Sequence, residues 1–311
     1  MQILKSNKAK PTTADQQIAD SIEGIDPQWL QSIVERISIP RSYEHESENN
    51  RLTRDWVEEQ FQSLGFRTMR QGEFDNIVAW IDESIADLES LLPTLLVGAH
   101  YDTKPGTPGA DDNASAVAAM LGAAKAVAQA HQSGTDLSRC VFVAFNREED
   151  GLLGSYDFVN HALPESWELN EVHILEMVGY CDHEPGSQGL PKGLPIKLGH
   201  DRGDFLAIVA NRTSNSKLKS VIETAASYVP EFPVWGLKVF FGMEKRFSDL
   251  RRSDHAPFWD RKIPAFMWTD TSEFRNPNYH LPSDTPDTID YEYLHSVTRL
   301  LTARVLSVLG E

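Results

Sequence analysis

Several short apolar runs in this chain end in side chains that can bind cations or carry protons. TLLVGAH ends in His100, with Tyr101 and Asp102 just beyond it, and after Gly106 and Gly109 the acidic pair Asp111-Asp112 opens a helical pattern. VFVAFN delivers Glu148-Glu149, VHIL delivers Glu176, and the loop after IPAFMW carries Tyr279-His280. Imidazole and carboxylate are the donors that hold divalent metals and shuttle protons. Taken singly, each has a plainer reading. A histidine after a strand is ordinarily a surface or satisfied residue, Asp111-Asp112-Asn113 is a good helix N-cap cluster, and Glu148-Glu149 suits a solvated helix start. Taken together they point to a site. Uncompensated carboxylates packed side by side are costly, and parallel α/β sheets set their sites beyond the carboxyl ends of the strands.

Other chemistries lack an anchor. The chain has no G-x-S-x-G nucleophile elbow, no G-x-x-x-x-G-K-[ST] phosphate loop, no H-E-x-x-H, and no G-x-G-x-x-G between a strand and a helix. Cys140 and Cys181 are the only cysteines, too few for a disulfide framework or a cysteine-based zinc site.

The segments GAHYDTKPGTPGADDNASAVAAM, FNREEDGLLGS, SDHAPF and NPNYHLPSDTPDTIDY together resemble the family of co-catalytic zinc aminopeptidases, which also includes glutamate carboxypeptidases and glutaminyl cyclases. The resemblance runs from about Asn76 to Leu309. It implies an α/β fold, a three-layer sandwich with a mixed, mostly parallel central sheet of the phosphorylase/hydrolase kind, and a centre for two zinc ions, or for one. Carried onto this chain, it gives His100, Asp111 and Glu176 to one zinc and Asp111, Glu149 and His280 to the other, with Asp111 bridging. Glu148 is then the general base, Tyr279 the oxyanion donor, and Asp102 the acceptor that orients the His100 ring. The side-chain types suit zinc, which takes imidazole and carboxylate at about 2.0–2.2 Å, and a short carboxylate can span ions about 3.5–4 Å apart. One position departs from the pattern: the family most often has Asp where this chain has Glu176, one methylene longer.

The neighbouring residues read as support. Asp254 and His255 either stand behind the site's ligands or brace a loop, Asp284 and Asp287 form turns and a helix cap, and Gly179 and Cys181 border the pocket with no catalytic thiol required. His131, His161, His173 and His295 read as ordinary surface or core residues.

These groups must be positioned by strands and helices in alternation. Strands are predicted at Asn76–Ile81, Thr94–Ala99, Cys140–Phe145, Val172–Leu175 and Ile263–Trp268, and helices at Asn113–His131, Leu152–Ala162, Lys217–Tyr228 and Tyr291–Leu309. Asp26-Pro27 starts an amphipathic helix that ends before Pro40, and a second helix runs from about Glu44 to Leu64, with Gly65 at its C-terminal turn. Cys181 to Gly203 reads as a surface loop near the open end of the sheet. Residues 1–24 read as a polar, loosely attached lead-in with one possible helical turn, followed by a single catalytic domain over 25–311.

Composition narrows the partners. Among 311 residues, 29 Lys+Arg face 46 Asp+Glu, a formal charge of −17 that repels nucleic acid and anionic membranes. No apolar run reaches a membrane span's length, and the first residues lack a signal peptide's apolar core, so the expectation is a cytoplasmic protein. The expected partner is a peptide or aminoacyl substrate with a free N-terminus; the oligomeric state stays open. The leading activity is aminopeptidase hydrolysis. A single-zinc glutaminyl cyclase and a non-catalytic binding domain of the same fold are the alternatives, and a carboxypeptidase or dipeptidase would need a basic group such as Arg147, Arg202, Arg251 or Arg252 to hold a carboxylate.

Overall fold

Along Cys140–Phe145 the buried side chains divide by position. Cys140, Phe142 and Ala144 join one apolar cluster, and Val141, Val143 and Phe145 join another on the opposite face. A strand apolar on both faces needs cover on both, so its sheet becomes the middle of three layers. The computed structural model describes residues 1–81, 87–135 and 137–310. Its strands are β1 (Gln2–Lys5), β2 (Arg67–Gln71), β3 (Asn76–Trp80), β4 (Leu95–His100), β5 (Cys140–Phe145), β6 (Glu171–Leu175), β7 (Leu206–Ala210), β8 (Val234–Lys238) and β9 (Ala265–Thr269). They form one sheet in the order β1-β8-β7-β9-β6-β4-β5-β3-β2.

The sheet is mixed, and less parallel than expected. Of the eight pairings among the described residues, four are parallel: β4 with β5, β4 with β6, β6 with β9, and β7 with β8. The four central strands β9-β6-β4-β5 therefore end on one edge, while antiparallel pairs flank them.

The helices are α1 (Gln16–Glu23), α2 (Pro27–Ile37), α3 (Ser47–Ser63), α4 (Ala116–Gln132), α5 (Leu153–Asp157), α6 (Asn215–Tyr228), α7 (His255–Asp260) and α8 (Tyr291–Leu309). Asp26 caps α2 by accepting from the Gln28 N–H at 2.9 Å, with Pro27 in the first turn, as the sequence predicts. The alanine-rich α4 packs deep between the sheet, α2 and α8. A Cβ at Gly122 would lie 2.6 Å from a Thr298 methyl and 2.9 Å from Leu30, so only glycine permits this approach. Across the sheet, Phe158, Trp167, Phe258 and Trp259 build the second apolar layer. No helix among the described residues is long and apolar enough to cross a membrane.

Residues 1–24 are not a loose lead-in. Gln2–Lys5 pairs antiparallel with β8, and α1 buries Ile22 against the larger apolar cluster. Four residues are too few for a periodic signal, and the pairing partner lies more than two hundred positions along the chain. The strands β2, β7 and β8 are likewise additions to the predicted set, although LAIVA in β7 has a strand's composition.

Candidate metal centre

The carboxyl ends of β4, β5 and β6 converge because these strands are parallel neighbours, with β4 between the other two. His100 closes β4, Glu148 and Glu149 follow β5, and Glu176 follows β6; Tyr279 and His280 enter on the loop beyond β9. Two triads result. His100, Glu148 and Glu176 offer donor atoms within 4.8 Å of one another, and so do Asp112, Glu149 and His280.

One carboxylate links the two groups. Asp112 Oδ1 lies 3.4 Å from His100 Nε2, and Asp112 Oδ2 lies 3.1 Å from His280 Nε2. Glu176 stands 3.4 Å from His100 Nε2, Glu148 3.9 Å from the same atom, and Glu149 3.2 Å from His280 Nε2. The bridging position expected for Asp111 is therefore taken by Asp112. Asp111 points away: its Oδ1 accepts the Gly179 N–H at 2.8 Å, and its Oδ2 accepts from Asn276 Nδ2 at 2.7 Å. Asp111 belongs to the frame that holds the centre.

That frame is mostly invisible in the sequence. Asp284, expected as a turn former, is buried and accepts the backbone N–H groups of Asp111 at 2.9 Å and Asp112 at 3.1 Å. The helix cap expected nearby is supplied by Asp290, which accepts from Glu292 and Tyr293 at the start of α8. Asn113 donates to the Leu175 carbonyl at 3.1 Å and accepts from the Met177 N–H at 2.9 Å, so it grips the chain on both sides of Glu176. Ser253 Oγ donates to Glu176 at 2.7 Å. Arg41, fully buried, donates to the carbonyls of Tyr101, Pro108 and Gly109 and so ties down the loop leading to Asp112. Gly109 has φ +64°, and a Cβ there would lie 2.3 Å from the Asp112 carbonyl oxygen, so the turn requires glycine. Gly109, Asn113, Ser253 and Asp284 lie inside the segments that carry the family resemblance, but their residue types alone do not reveal these bonds, and Arg41 lies outside those segments.

Asp102 does more than its expected part. Its Oδ1 lies 3.3 Å from His100 Nδ1, while its two oxygens accept the N–H groups of Glu148 at 3.1 Å and Glu149 at 3.2 Å. It joins the end of β4 to the end of β5. Tyr279 stacks on the His280 ring, centroids 3.7 Å apart, and its hydroxyl accepts from Arg252 at 2.6 Å. Lys104 approaches Glu149 at 3.1 Å from the rim. His255 is a buried brace, as expected, bonded to the Leu250 carbonyl at 2.9 Å. Cys181 is a free, half-buried thiol 3.5 Å from His183 Nε2, and burial pushes it up to about 12.

The electrostatics favour cations. Burial raises Glu148, Glu149 and Glu176 above the usual carboxylate range. Burial alone would raise Asp112 as well, but the His100 and His280 imidazoles beside it outweigh that and hold it below the usual range. His100 Nε2, Asp112 Oδ1 and Glu149 Oε1 are buried without a protein hydrogen-bond partner. Buried polar atoms are rarely left so, and these converge on one space. Imidazole nitrogen and carboxylate oxygen are the donors a borderline divalent ion takes there, so the residues fit a metal.

An α/β sandwich with two linked imidazole-carboxylate triads at its strand ends has the build of a metalloenzyme. The chain belongs to Peptidase family M28, whose profile matches residues 76–305. It is 34% identical over 275 residues to the uncharacterized protein YfbL of Escherichia coli, covering 83% of this chain and 80% of that one. It is 30% identical over 213 residues to aminopeptidase YwaD of Bacillus subtilis, covering 67% of this chain and 40% of that one. Among solved structures, the LapA aminopeptidase of Legionella pneumophila superposes with a TM-score of 0.73 at 20% identity, covering 98% of this chain and 78% of that one. At that identity the likeness speaks for the fold.

Proposed function

We propose that this protein is a zinc-dependent exopeptidase that removes N-terminal residues from peptides. In this reading His100, Asp112 and Glu176 would hold one ion, and Asp112, Glu149 and His280 would hold the other. The observation that carries it is Asp112, a single carboxylate with one oxygen toward each imidazole. Zinc, when bound, supplies an acidified water and a Lewis acid for the scissile carbonyl.

The chain's own groups do the rest. Glu148 takes the proton of the attacking water and returns it to the departing amine. Asp102 fixes that glutamate's backbone and orients the His100 ring. Tyr279 donates its hydroxyl proton to the oxyanion, since Arg252 already fills a lone pair on the phenol oxygen. The site carboxylates hold the substrate's free α-amine.

The test is to load the purified protein with zinc and assay aminoacyl anilides and glutaminyl peptides, with and without chelator. Chelator-sensitive release of aniline is expected. Pyroglutamate formation without anilide hydrolysis would make the protein a cyclase, and zinc binding well below one equivalent would make it a non-catalytic domain.

A further inference from the structure

The chain beyond β6 and the start of α8 bring together a third group of metal donors among the described residues, separate from the two at the strand ends. Cys181, His183 and Asp290 each offer one donor atom, and these atoms lie within 4.8 Å of one another. Cys181 Sγ stands 3.5 Å from His183 Nε2. Thiolate, imidazole and carboxylate are the donor types zinc takes, and donors about 2.0–2.3 Å from one ion fall within such a span.

Each donor is held from behind. His183 Nδ1 faces Asp204 at 4.0 Å, and the other oxygen of Asp204 pairs with His200 Nε2 at 2.6 Å. A carboxylate behind one ring nitrogen orients a ligating imidazole and presents the other nitrogen to the metal. Asp290 Oδ1 is occupied in capping α8, where it accepts from Glu292 at 3.1 Å and from Tyr293 at 2.9 Å, so its second oxygen is free of that duty. The Asp290 N–H donates to the Gly179 carbonyl at 2.9 Å, which sets the start of α8 against the chain just before Cys181. Beyond Cys181, Asp182 bridges antiparallel to Gly203 and its Oδ1 accepts the Glu184 N–H at 2.9 Å, fixing the turn that carries His183.

The charges around the sulfur favour a cation. Burial, and then the charge of Asp290, push the Cys181 thiol up. Arg275 acts the other way, but its guanidinium is engaged by Gln188 and the Phe205 carbonyl.

We propose that Cys181, His183 and Asp290 bind a divalent ion of the zinc class, distinct from the candidate centre, with water completing the coordination on the exposed His183 side. On binding, the Cys181 thiol gives its proton to solvent as the sulfur–metal bond forms, and no oxidation state changes. Two cysteines are too few for a thiolate site, but one is enough where imidazole and carboxylate complete the set. The thiolate discriminates against magnesium and calcium, which prefer oxygen donors. The ion clips the chain after β6 to the start of α8, close to the Gly179 N–H that holds Asp111. The proposal does not depend on the peptidase reading.

In the experiment the full-length protein is dialysed against Co²⁺, and bound cobalt is measured together with the near-ultraviolet band of sulfur-to-cobalt charge transfer. That band reports this site, because the candidate centre is built from imidazole and carboxylate and Cys140 is buried. Wild type should show the band, excess Mg²⁺ should leave it unchanged, and Cys181→Ser should abolish it with the loss of one equivalent of cobalt. Asp204→Asn should weaken cobalt binding at this site by about 10–100-fold, the scale for a group behind a ligand. His183→Ala and Asp290→Asn, which keep the thiol, should weaken it by more than that; asparagine also caps helices, so α8 keeps its start. Asp112→Asn, at the candidate centre, should leave the band in place. No band at saturating Co²⁺, or a band that survives Cys181→Ser, would overturn the proposal. So would an affinity unmoved by either His183→Ala or Asp290→Asn, which would reduce the site to a lone thiol.

Discussion

Asn276 Nδ2 donates to Asp111 Oδ2 at 2.7 Å, and with the Gly179 N–H on the other oxygen it turns Asp111 away from the cluster that its neighbour Asp112 enters. Asp270 completes the arrangement. Its oxygens accept the backbone N–H groups of Tyr180 at 3.0 Å and Ser272 at 2.9 Å, and burial and the charge of Asp111 push it well above the usual carboxylate range. Two adjacent aspartates thus differ in place, Asp111 within the hydrogen-bonded frame and Asp112 between the His100 and His280 imidazoles.

Asp112→Asn and Asp111→Asn should therefore behave differently. Asp111 acts on the cations only through the frame, and its loss should cost about 10–100-fold in metal affinity, the usual scale for groups behind the ligands. Asp112→Asn should exceed that range. Zinc titration of both variants checks the ranking, and a greater loss in Asp111→Asn would restore the bridging role to that residue.

Glu148→Gln should keep its zinc and lose kcat by about 10²–10⁴-fold, the contribution of a positioned general base. The backbone bond from Glu148 to Asp102 is untouched by the change, so the loop should stay in place. Metal content and turnover measured on the same preparation separate the two effects. Near-normal turnover would end the assignment of Glu148 as the base.

Tyr279→Phe removes an oxyanion donor and should lower kcat by about 10²–10³-fold with little change in KM. Arg252→Met leaves the phenol but frees its oxygen, so a smaller loss is expected, again in kcat, with partial recovery in Arg252→Lys. A purely structural Arg252 would instead show up as a lower Tm with kcat unchanged.

Far from the centre, Glu171 predicts an acid limit to stability. Burial opposes its charge, but His173 and Arg304 outweigh burial and hold it at about 2, below the ordinary 4.5. Trp268 donates its indole N–H to His173 Nδ1 at 3.0 Å, so Nε2 carries the proton offered to Glu171 at 3.1 Å. Between these two pH values the unfolded chain binds a proton that the folded one refuses. The pair's stabilisation is therefore complete above about pH 4.5 and lost as pH falls toward about 2. His173, lowered by burial from 6.5, adds a loss of the same sign on acidification. Urea midpoints across this window should fall steeply in the wild type and more gently in Glu171→Gln. Parallel slopes would remove Glu171 from the account.

Much of the fold is legible in the residue pattern. Periodicity finds α2, α8 and the central strands, since those elements are long or apolar enough to carry a signal, and Gly65 has the positive φ of +91° that its place after α3 suggests. The resemblance to a zinc peptidase family agrees with the family match. Short β1 escapes such a pattern, because a strand of four residues is specified by the partner it pairs with rather than by itself.

The sequence by itself determined which chemistry was available: imidazoles and carboxylates at the ends of parallel strands, in a chain with no other catalytic anchor. It also determined the sheet's core, because alternating burial on both faces is written in residue types. Which of two adjacent aspartates lies between the His100 and His280 imidazoles was decided only in three dimensions. Asp112 and Asn113 leave helical geometry, Asp284 and Asn276 fix the turn from more than 160 positions away, and identical side chains one residue apart end on opposite sides of the chain. Residue type sets what an atom can do, but the backbone direction that aims it depends on hydrogen bonds no local pattern records.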